Sequence, residues 1–145
     1  MFKHILIPTD GSPASQRAIL AAVALARDSG AAVLGLTVVP PFHALTANRD
    51  MLATTPAHYE QEARERAQPI LADVEQAASD AGVPFRVEQR SGDSPYEAII
   101  SAARDNACDL IVMASHGHKG IKGLLLGSET QKVLVHSAIP VLVYR

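Results

Sequence analysis

This sequence has almost no cysteine from which disulfides or thiolate metal sites could be built. Cys108 is the only cysteine among 145 residues, which excludes an intramolecular disulfide and a cysteine-based zinc site. The formal net charge of −2 favours neither nucleic acid nor an anionic membrane as a partner. No apolar run approaches the roughly 18 residues of a membrane-spanning helix, and the first run is too short for a signal peptide. We therefore expect one soluble, cytoplasmic domain covering residues 1–145.

What the sequence does contain is a regular alternation of two patterns. Five short apolar runs predict β-strands. Four of them are nearly continuous in apolar residues, which is typical of parallel strands buried on both faces. These four cover His4–Pro8, Ala32–Val39, Leu110–Ser115 and Val141–Tyr144. The remaining run, Phe85–Gln89, alternates apolar and charged residues and is expected at a sheet edge.

Helical patterns fill the intervals between these strands. Their predicted ranges are Pro13–Ser29, His58–Ala81, Pro95 to about Asn106, and Ser128 to about His136. Ser12 before Pro13 is typical of a helix start, and Ser94–Glu97 and Ser128–Gln131 have the spacing of capping boxes. The strict alternation predicts an α/β fold, an open doubly wound five-stranded parallel sheet with helices on both faces.

Ligands of such a sheet bind beyond the carboxyl ends of the strands, where the strand order reverses. One loop in that position, ASHGHKGIKGLLLGS at 114–128, has the composition of an anion site. Its glycines let a ligand approach backbone N–H groups, Lys119 and Lys122 add positive charge, and the following helix presents its positive dipole end. The alternative is a solvated surface loop, because Ser128 and Gln131 could cap the helix without a ligand.

Other candidate groups have less specific patterns. Asp10, after the first strand, could either stabilise the turn or accept hydrogen bonds from ribose hydroxyls. His116 and His118 form an H-x-H pair without accompanying carboxylates, so we expect no metal site. The P-loop, G-x-G-x-x-G and G-x-S-x-G patterns are absent from the sequence, and we predict no catalytic residues. Pro40–Pro56 is a long irregular connection, of a kind that is often functional or mobile.

Two segments resemble the universal stress protein family, and the resemblance spans the whole chain. HILIPTDGSPAS, at 4–15, has that family's apolar strand followed by Pro, a small residue and Asp. LLLGSETQKVLVHSAIPVLVYR, at 124–145, has its Gly-Ser, helix, Pro and final strand. The family's nucleotide motif is Gly, two residues, Gly, nine residues, Gly, then Ser or Thr. Ala114, Gly117, Gly127 and Ser128 match this spacing, with Ala in place of the first glycine.

The resemblance implies a site for ATP, with Mg²⁺ as a counter-ion. The residues near adenine and ribose would be Pro8, Thr9, Asp10 and Val38. Those lining ribose and phosphate would be Met113, Ala114, His116 and Gly117. Those holding the phosphates through N–H and hydroxyl groups would be Gly127, Ser128, Glu129 and Thr130. We expect Glu129 to turn its carboxylate away from phosphate. The Ala114 methyl group could crowd the ribose, but Ala is the smallest possible replacement of the glycine, and the phosphate part of the motif is intact.

The resemblance also implies a sheet order of 3-2-1-4-5 and a homodimer through the fifth strand, residues Val141, Leu142, Val143 and Tyr144. In that order the strand lies at an edge, where unpaired backbone groups invite pairing with a second copy. The implied function is an ATP-binding stress-response module without dedicated catalysis. The alternative, which the Ala114 departure keeps open, is a dimeric interaction protein of the same fold that binds no nucleotide.

Overall fold

The computed structural model describes residues 1–41, 55–117 and 126–145. Its strands are β1 His4–Pro8, β2 Ala32–Val39, β3 Phe85–Ser91, β4 Leu110–Ala114 and β5 Val141–Tyr144. Its helices are α1 Pro13–Ser29, α2 Pro56–Ala81, α3 Pro95–Asp105 and α4 Ser128–His136. The predicted alternation is confirmed. The clearest boundary difference is at α2, which begins at Pro56 because the Thr55 side chain caps it by accepting the His58 N–H.

The sheet is parallel throughout, and the predicted order β3-β2-β1-β4-β5 is confirmed. The order reverses between β1 and β4, which are direct neighbours with Ile5 opposite Leu110. The residues that follow β1 and β4 therefore meet at the carboxyl edge of the sheet, where ligands of this architecture bind. β5 lies at one lateral edge, and β3 at the other as the sequence predicts.

Two apolar cores cover the two faces of the sheet. On the face covered by α1 and α2, the buried residues include Ile5, Ile7, Ile19, Val33 and Val74. On the face covered by α3 and α4, they include Leu6, Leu34, Ile99, Ile111 and Val133. Successive residues of a strand point to opposite faces. Both faces are buried here, so the central strands have nearly continuous apolar sequences.

The helix starts follow the predicted signals at α1 and depart from them at α3 and α4. Ser12 caps α1, and its hydroxyl oxygen accepts a hydrogen bond from the Ser15 N–H at 3.2 Å. The two predicted capping boxes are wrong. Ser94 makes no side-chain capping bond at α3, and the N-cap of α4 is Gly127. With this one-residue difference the Gly127 carbonyl accepts the Gln131 N–H at 3.1 Å, and no side chain caps α4.

Some sequence predictions fall on ranges that the structure does not describe. Residues 42–54 of the Pro40–Pro56 connection lie outside the described residues, and so do residues 118–125 of the glycine-rich loop. The predicted roles of Lys119 and Lys122 therefore lie outside them too. Of the helices that are described, none has the length and apolar character needed to cross a membrane.

Candidate functional site

Asp10 lies in the turn between β1 and α1, at the carboxyl edge of the sheet. Gly11 makes this turn with a φ of +81°, a left-handed conformation that favours glycine. Asp10 Oδ1 accepts hydrogen bonds from the Ser12 N–H at 2.9 Å and from the Ser15 hydroxyl at 2.9 Å. These donors orient the carboxylate. Sequence reasoning misses Ser15, whose only signal is its position one helical turn after the N-cap.

Gly117 packs directly against this carboxylate. A Cβ atom placed on Gly117 would lie 2.1 Å from Asp10 Oδ2 and 3.1 Å from Asp10 Cγ. Real Cβ atoms essentially never make contacts as short as the first, so a side chain at position 117 would require the Asp10 carboxylate or the loop after β4 to shift. The second glycine of the predicted motif and the predicted ribose-binding carboxylate are thus in direct contact.

Gly127 makes the second close approach at this edge. A Cβ atom on Gly127 would lie 3.2 Å from the Ser115 carbonyl oxygen and 3.2 Å from His116 Cα. The Gly127 N–H donates to the Ser115 carbonyl, which ties the start of α4 to the end of β4. His116 is exposed, and its Nδ1 atom lies 3.0 Å from the Ser115 hydroxyl oxygen. Asp10, Gly117, His116 and Gly127 therefore form a continuous row, which we call the edge row.

The first turn of α4 follows the edge row and supplies backbone donors. The first N–H groups of a helix have no partner within the helix. Within the described ranges, the N–H groups of Ser128, Glu129 and Thr130 have no hydrogen-bond partner either. Such groups stabilise an anion together with the positive end of the helix dipole. The site therefore combines donors suited to phosphate with a carboxylate suited to ribose hydroxyls.

Thr130 and Ala114 join α4 to β4. The Thr130 side chain is buried, and its hydroxyl donates to the Ala114 carbonyl at 2.9 Å. The Thr130 hydroxyl is therefore already bound to β4, and the donor that Thr130 can offer a ligand is its backbone N–H. The Ala114 methyl group is buried in a cluster with Ala14 and Ala18 of α1. It packs in the core beneath α1. Crowding of a ribose by this methyl group stays a prediction.

The Glu129 carboxylate extends from α4 to α3. Oε2 accepts a hydrogen bond from the Tyr96 N–H at 2.9 Å, in the first turn of α3. Oε1 lies 3.4 Å from Lys132 Nζ. Sequence reasoning misses the role of Tyr96, because the group that binds Glu129 is a backbone donor and no side-chain pattern marks it.

The remaining predicted residues lie beneath or beside the edge row. Thr9 is buried, and its hydroxyl oxygen accepts the Gly11 N–H at 3.2 Å. Pro8 is half-buried at the end of β1. Val38 packs against the core that α3 and α4 cover and keeps some exposure, whereas Met113 is buried within that core. Val38 therefore keeps some surface accessible to a ligand, whereas Met113, which is 6% exposed, keeps little.

The described residues form no metal centre. Of the H-x-H pair, His116 is described and His118 lies outside the described residues. Across residues 1–41, 55–117 and 126–145, no group of three or more His, Cys, Asp or Glu side chains could hold a metal ion. The chemistry of the site is therefore that of N–H donors and a fixed carboxylate.

Comparison with known proteins decides the family. A model described as the universal stress protein family matches residues 1–145. The chain belongs to this family. Universal stress protein YxiE of Bacillus subtilis is 32% identical over 100% of both chains. A universal stress protein of Thermus aquaticus, from the QAH/OAS sulfhydrylase 3′ region, is 37% identical over 100% of both chains.

Solved structures of universal stress proteins have the same fold. MJ0577 of Methanocaldococcus jannaschii superposes with a TM-score of 0.82 at 29% identity, covering 99% of this chain and 95% of its own. A universal stress protein solved in complex with cAMP has a TM-score of 0.74 at 25% identity, covering 99% and 97%. One from Archaeoglobus fulgidus, solved in complex with dAMP, has a TM-score of 0.72 at 17% identity, covering 100% and 98%. At 17% identity, the Archaeoglobus fulgidus structure supports the fold of this chain and not its ligand.

Proposed function

We propose that this universal stress protein is a cytoplasmic stress-response module that binds an adenine nucleotide, with ATP as the ligand and Mg²⁺ as its counter-ion. Adenine and ribose would lie at the carboxyl ends of β1 and β2, near Pro8, Thr9, Asp10 and Val38. The phosphates would be held at Gly117 and the first turn of α4, by Gly127, Ser128, Glu129 and Thr130. Met113 and Ala114 would support the site from below, and His116 would flank it.

The observation that carries this proposal is the open first turn of α4 beside Asp10. No side chain caps α4, and the N–H groups of Ser128, Glu129 and Thr130 have no partner among the described residues. The edge row links this turn to a carboxylate already oriented by hydrogen bonds. A site with phosphate donors at one end and a ribose acceptor at the other suits a nucleotide better than inorganic phosphate.

A relative of the same fold supports adenine as the base. The universal stress protein solved in complex with cAMP is 25% identical to this chain. Its ligand combines adenine, ribose and phosphate in one molecule. The open N–H groups of Ser128, Glu129 and Thr130 in α4 offer several donors to a phosphate chain such as that of ATP.

The proposed role is regulatory rather than catalytic. Phosphoryl transfer requires a group that positions the nucleophile and positive charge that stabilises the transition state. The Glu129 carboxylate is held at α3, and the Asp10 carboxylate accepts hydrogen bonds from α1, so we assign neither of them to water activation. Bound ATP is therefore expected to turn over slowly at most.

The position of Ala114 favours nucleotide binding over the alternative of a nucleotide-free interaction protein. That alternative depends on a clash between the Ala114 methyl group and the ribose. The methyl group is buried with Ala14 and Ala18 beneath α1, and Ala114 as a whole is 6% exposed. The substitution of the motif's first glycine therefore leaves the edge row unobstructed.

We also propose that two copies pair through the open edge of β5. The carbonyls of Pro140 and Tyr144 accept hydrogen bonds from β4. Because backbone groups alternate in direction along a strand, those of Val141 and Val143 point to the open edge. Leu142 is 40% exposed beside this edge. Unpaired backbone groups and exposed apolar side chains invite antiparallel pairing about a twofold axis.

Calorimetric titration tests the nucleotide proposal. Purified wild-type protein should bind MgATP, and it should bind adenosine more weakly because adenosine cannot use the donors of α4. Chromatography of the supernatant after denaturing the purified protein should also detect adenine nucleotide. If MgATP produces no binding heat and no nucleotide co-purifies, the proposal is overturned.

A further inference from the structure

Glu129 contacts α3 from the first turn of α4, so a single carboxylate joins the starts of two helices. Its Oε2 atom accepts a hydrogen bond from the Tyr96 N–H at 2.9 Å. Tyr96 lies in the first turn of α3, where the N-cap residue Ser94 makes no side-chain bond. Glu129 therefore satisfies one of the free N–H groups of α3, as a capping side chain would.

Neighbouring contacts hold the carboxylate in this position. Glu129 Oε1 lies 3.4 Å from Lys132 Nζ, and the Glu129 side chain is 36% exposed. Lys132 Nζ in turn lies 5.7 Å from the centroid of the Tyr96 ring. The His136 ring packs against the same ring at a centroid distance of 5.0 Å. These residues form a link between α3 and α4 that restrains the Glu129 side chain.

The backbone of the same residue belongs to the proposed phosphate site. The Glu129 N–H lies between those of Ser128 and Thr130, and none of the three has a partner among the described residues. An acidic side chain in the first turn of a helix is attracted to the positive end of the helix dipole. An unrestrained Glu129 carboxylate would therefore approach these N–H groups and compete with a phosphate for them.

We propose that Glu129 is a positioning residue that keeps the phosphate site open because the Tyr96 N–H holds its carboxylate at α3. This inference rests on the proposed nucleotide binding. It adds that the binding depends on the contact between Glu129 and Tyr96. The Tyr96 N–H acts on a phosphate only through Glu129. Breaking the contact while leaving the charge in place is therefore more harmful than removing the whole side chain.

Three substitutions at Glu129 separate the charge from the contact. Glu129→Asp keeps the charge but is one methylene shorter and loses its reach to Tyr96, so affinity for MgATP should fall about tenfold. The loss should be larger at low than at high salt, since exposed charges are screened. Glu129→Gln keeps an acceptor for the Tyr96 N–H, and Glu129→Ala leaves no carboxylate. Both should bind MgATP at least as tightly as wild type.

A backbone substitution tests the same contact from the other side. Tyr96→Pro removes the N–H donor, and proline is tolerated in the first turn of a helix. Tyr96→Ala is the matched control, because it loses the ring but keeps the N–H. We expect Tyr96→Pro to weaken MgATP binding as Glu129→Asp does. Tyr96→Ala, which loses the ring contacts with Lys132 and His136, should weaken it much less. Adding Glu129→Gln to Tyr96→Pro should restore the affinity.

Adenosine is the control ligand, because it lacks phosphate and should bind equally well to every variant. Thermal unfolding followed by circular dichroism establishes that each variant is folded. If Glu129→Asp is not folded, the comparison of Tyr96→Pro with Tyr96→Ala tests the inference instead. If wild type binds MgATP and Glu129→Asp binds it equally, or if Glu129→Ala is weaker than Glu129→Asp, the inference is overturned and the proposed function stands. If wild type binds no MgATP, both are overturned.

Discussion

Gly117 and Asp10 lie in contact at the carboxyl edge of the sheet, so close that a side chain at position 117 would displace the Asp10 carboxylate or the loop after β4. A Cβ atom there would lie 2.1 Å from Asp10 Oδ2. The carboxylate has little freedom to move aside, because its Oδ1 atom accepts hydrogen bonds from Ser12 and Ser15. The path of the loop after β4 is therefore coupled to the orientation of the proposed ribose-binding group.

This contact predicts that Gly117→Ala will weaken MgATP binding about tenfold, because either the loop or the Asp10 carboxylate must move. In an Asp10→Ala background, Gly117→Ala should cause no further loss of affinity for MgATP, because the carboxylate that its Cβ atom would meet is absent. Calorimetry on wild type, both single variants and the double variant completes the cycle. Additive losses would show that Gly117 acts independently of Asp10.

Gly127→Val should abolish MgATP binding, because its side chain would block the approach to the first turn of α4. A Cβ atom at this position already lies 3.2 Å from the Ser115 carbonyl oxygen, so Gly127→Ala should bind with reduced affinity and serves as the graded control. Titration calorimetry measures the affinities, and urea unfolding checks that the variants remain folded. Unchanged affinity in the valine variant would place the phosphates elsewhere.

Ala114→Gly is expected to leave the affinity for MgATP unchanged and to lower the free energy of unfolding. The lost methyl group is buried with Ala14 and Ala18, so the substitution should cost about 1 kcal/mol in stability. Urea unfolding and calorimetry on the same preparation measure the two quantities. Tighter binding by the glycine variant would mean that the methyl group does crowd the ribose.

Val143→Pro should convert a wild-type dimer into monomers. The Val143 N–H points to the open edge of β5, so proline removes a donor for the partner strand and leaves the pairing with β4 intact. Val143→Thr keeps the N–H and a branched side chain, and it should remain dimeric. Light scattering coupled to size exclusion measures the mass. The dimer proposal would be excluded by a monomeric wild type at micromolar concentration or by a folded, dimeric proline variant.

Asp109 ties the start of β1 to the start of β4. Its carboxylate accepts the Lys3 N–H at 2.9 Å and the His4 N–H at 3.0 Å. Burial acts to raise the pKa of Asp109, but these backbone donors outweigh it, and the pKa is lowered. A carboxyl whose pKa is lower in the folded than in the unfolded state stabilises the fold at pH values above its unfolded pKa of about 3.9. That stabilisation is lost as the pH falls through the folded value.

We therefore expect Asp109→Asn to be less stable than wild type near neutral pH. The difference in free energy of unfolding should shrink as the pH falls below about 4, where the unfolded chain takes up the proton, and should be lost below the lower folded pKa, where the native carboxyl is protonated too. Urea unfolding of both proteins at about pH 7, 5 and 3 measures the difference. A difference that stays constant over this range would mean that the charge of Asp109 does not contribute.

The direction of the Glu129 side chain shows how far sequence reasoning reaches at this site. Repulsion between a carboxylate and phosphate predicts that the side chain turns away from a ligand, and in the structure the carboxylate extends to α3. Its partner could not be predicted, because the Tyr96 N–H is a backbone group 33 residues away in sequence. Only the packing of α3 beside α4 brings the two together.

The start of α4 shows a different kind of limit. Ser128 and Gln131 have the spacing of a capping box with Ser128 as the N-cap, yet the helix begins one residue earlier, with Gly127 as its N-cap. The Gly127 N–H is bound to the Ser115 carbonyl of the loop after β4, and Thr130 is bound to Ala114. These contacts with β4 override the local capping signal.

The sequence by itself determined the alternation of strands and helices, because apolar periodicity and the cap at Ser12 act over a few neighbouring residues. It also determined the family, because Gly117, Gly127 and Ser128 keep the family's spacing. Only the tertiary structure decided which N–H groups stay open at α4, how Asp10 is oriented and where the Ala114 methyl group points. Each of these depends on contacts between segments that are distant in sequence and meet where the parallel sheet reverses its strand order.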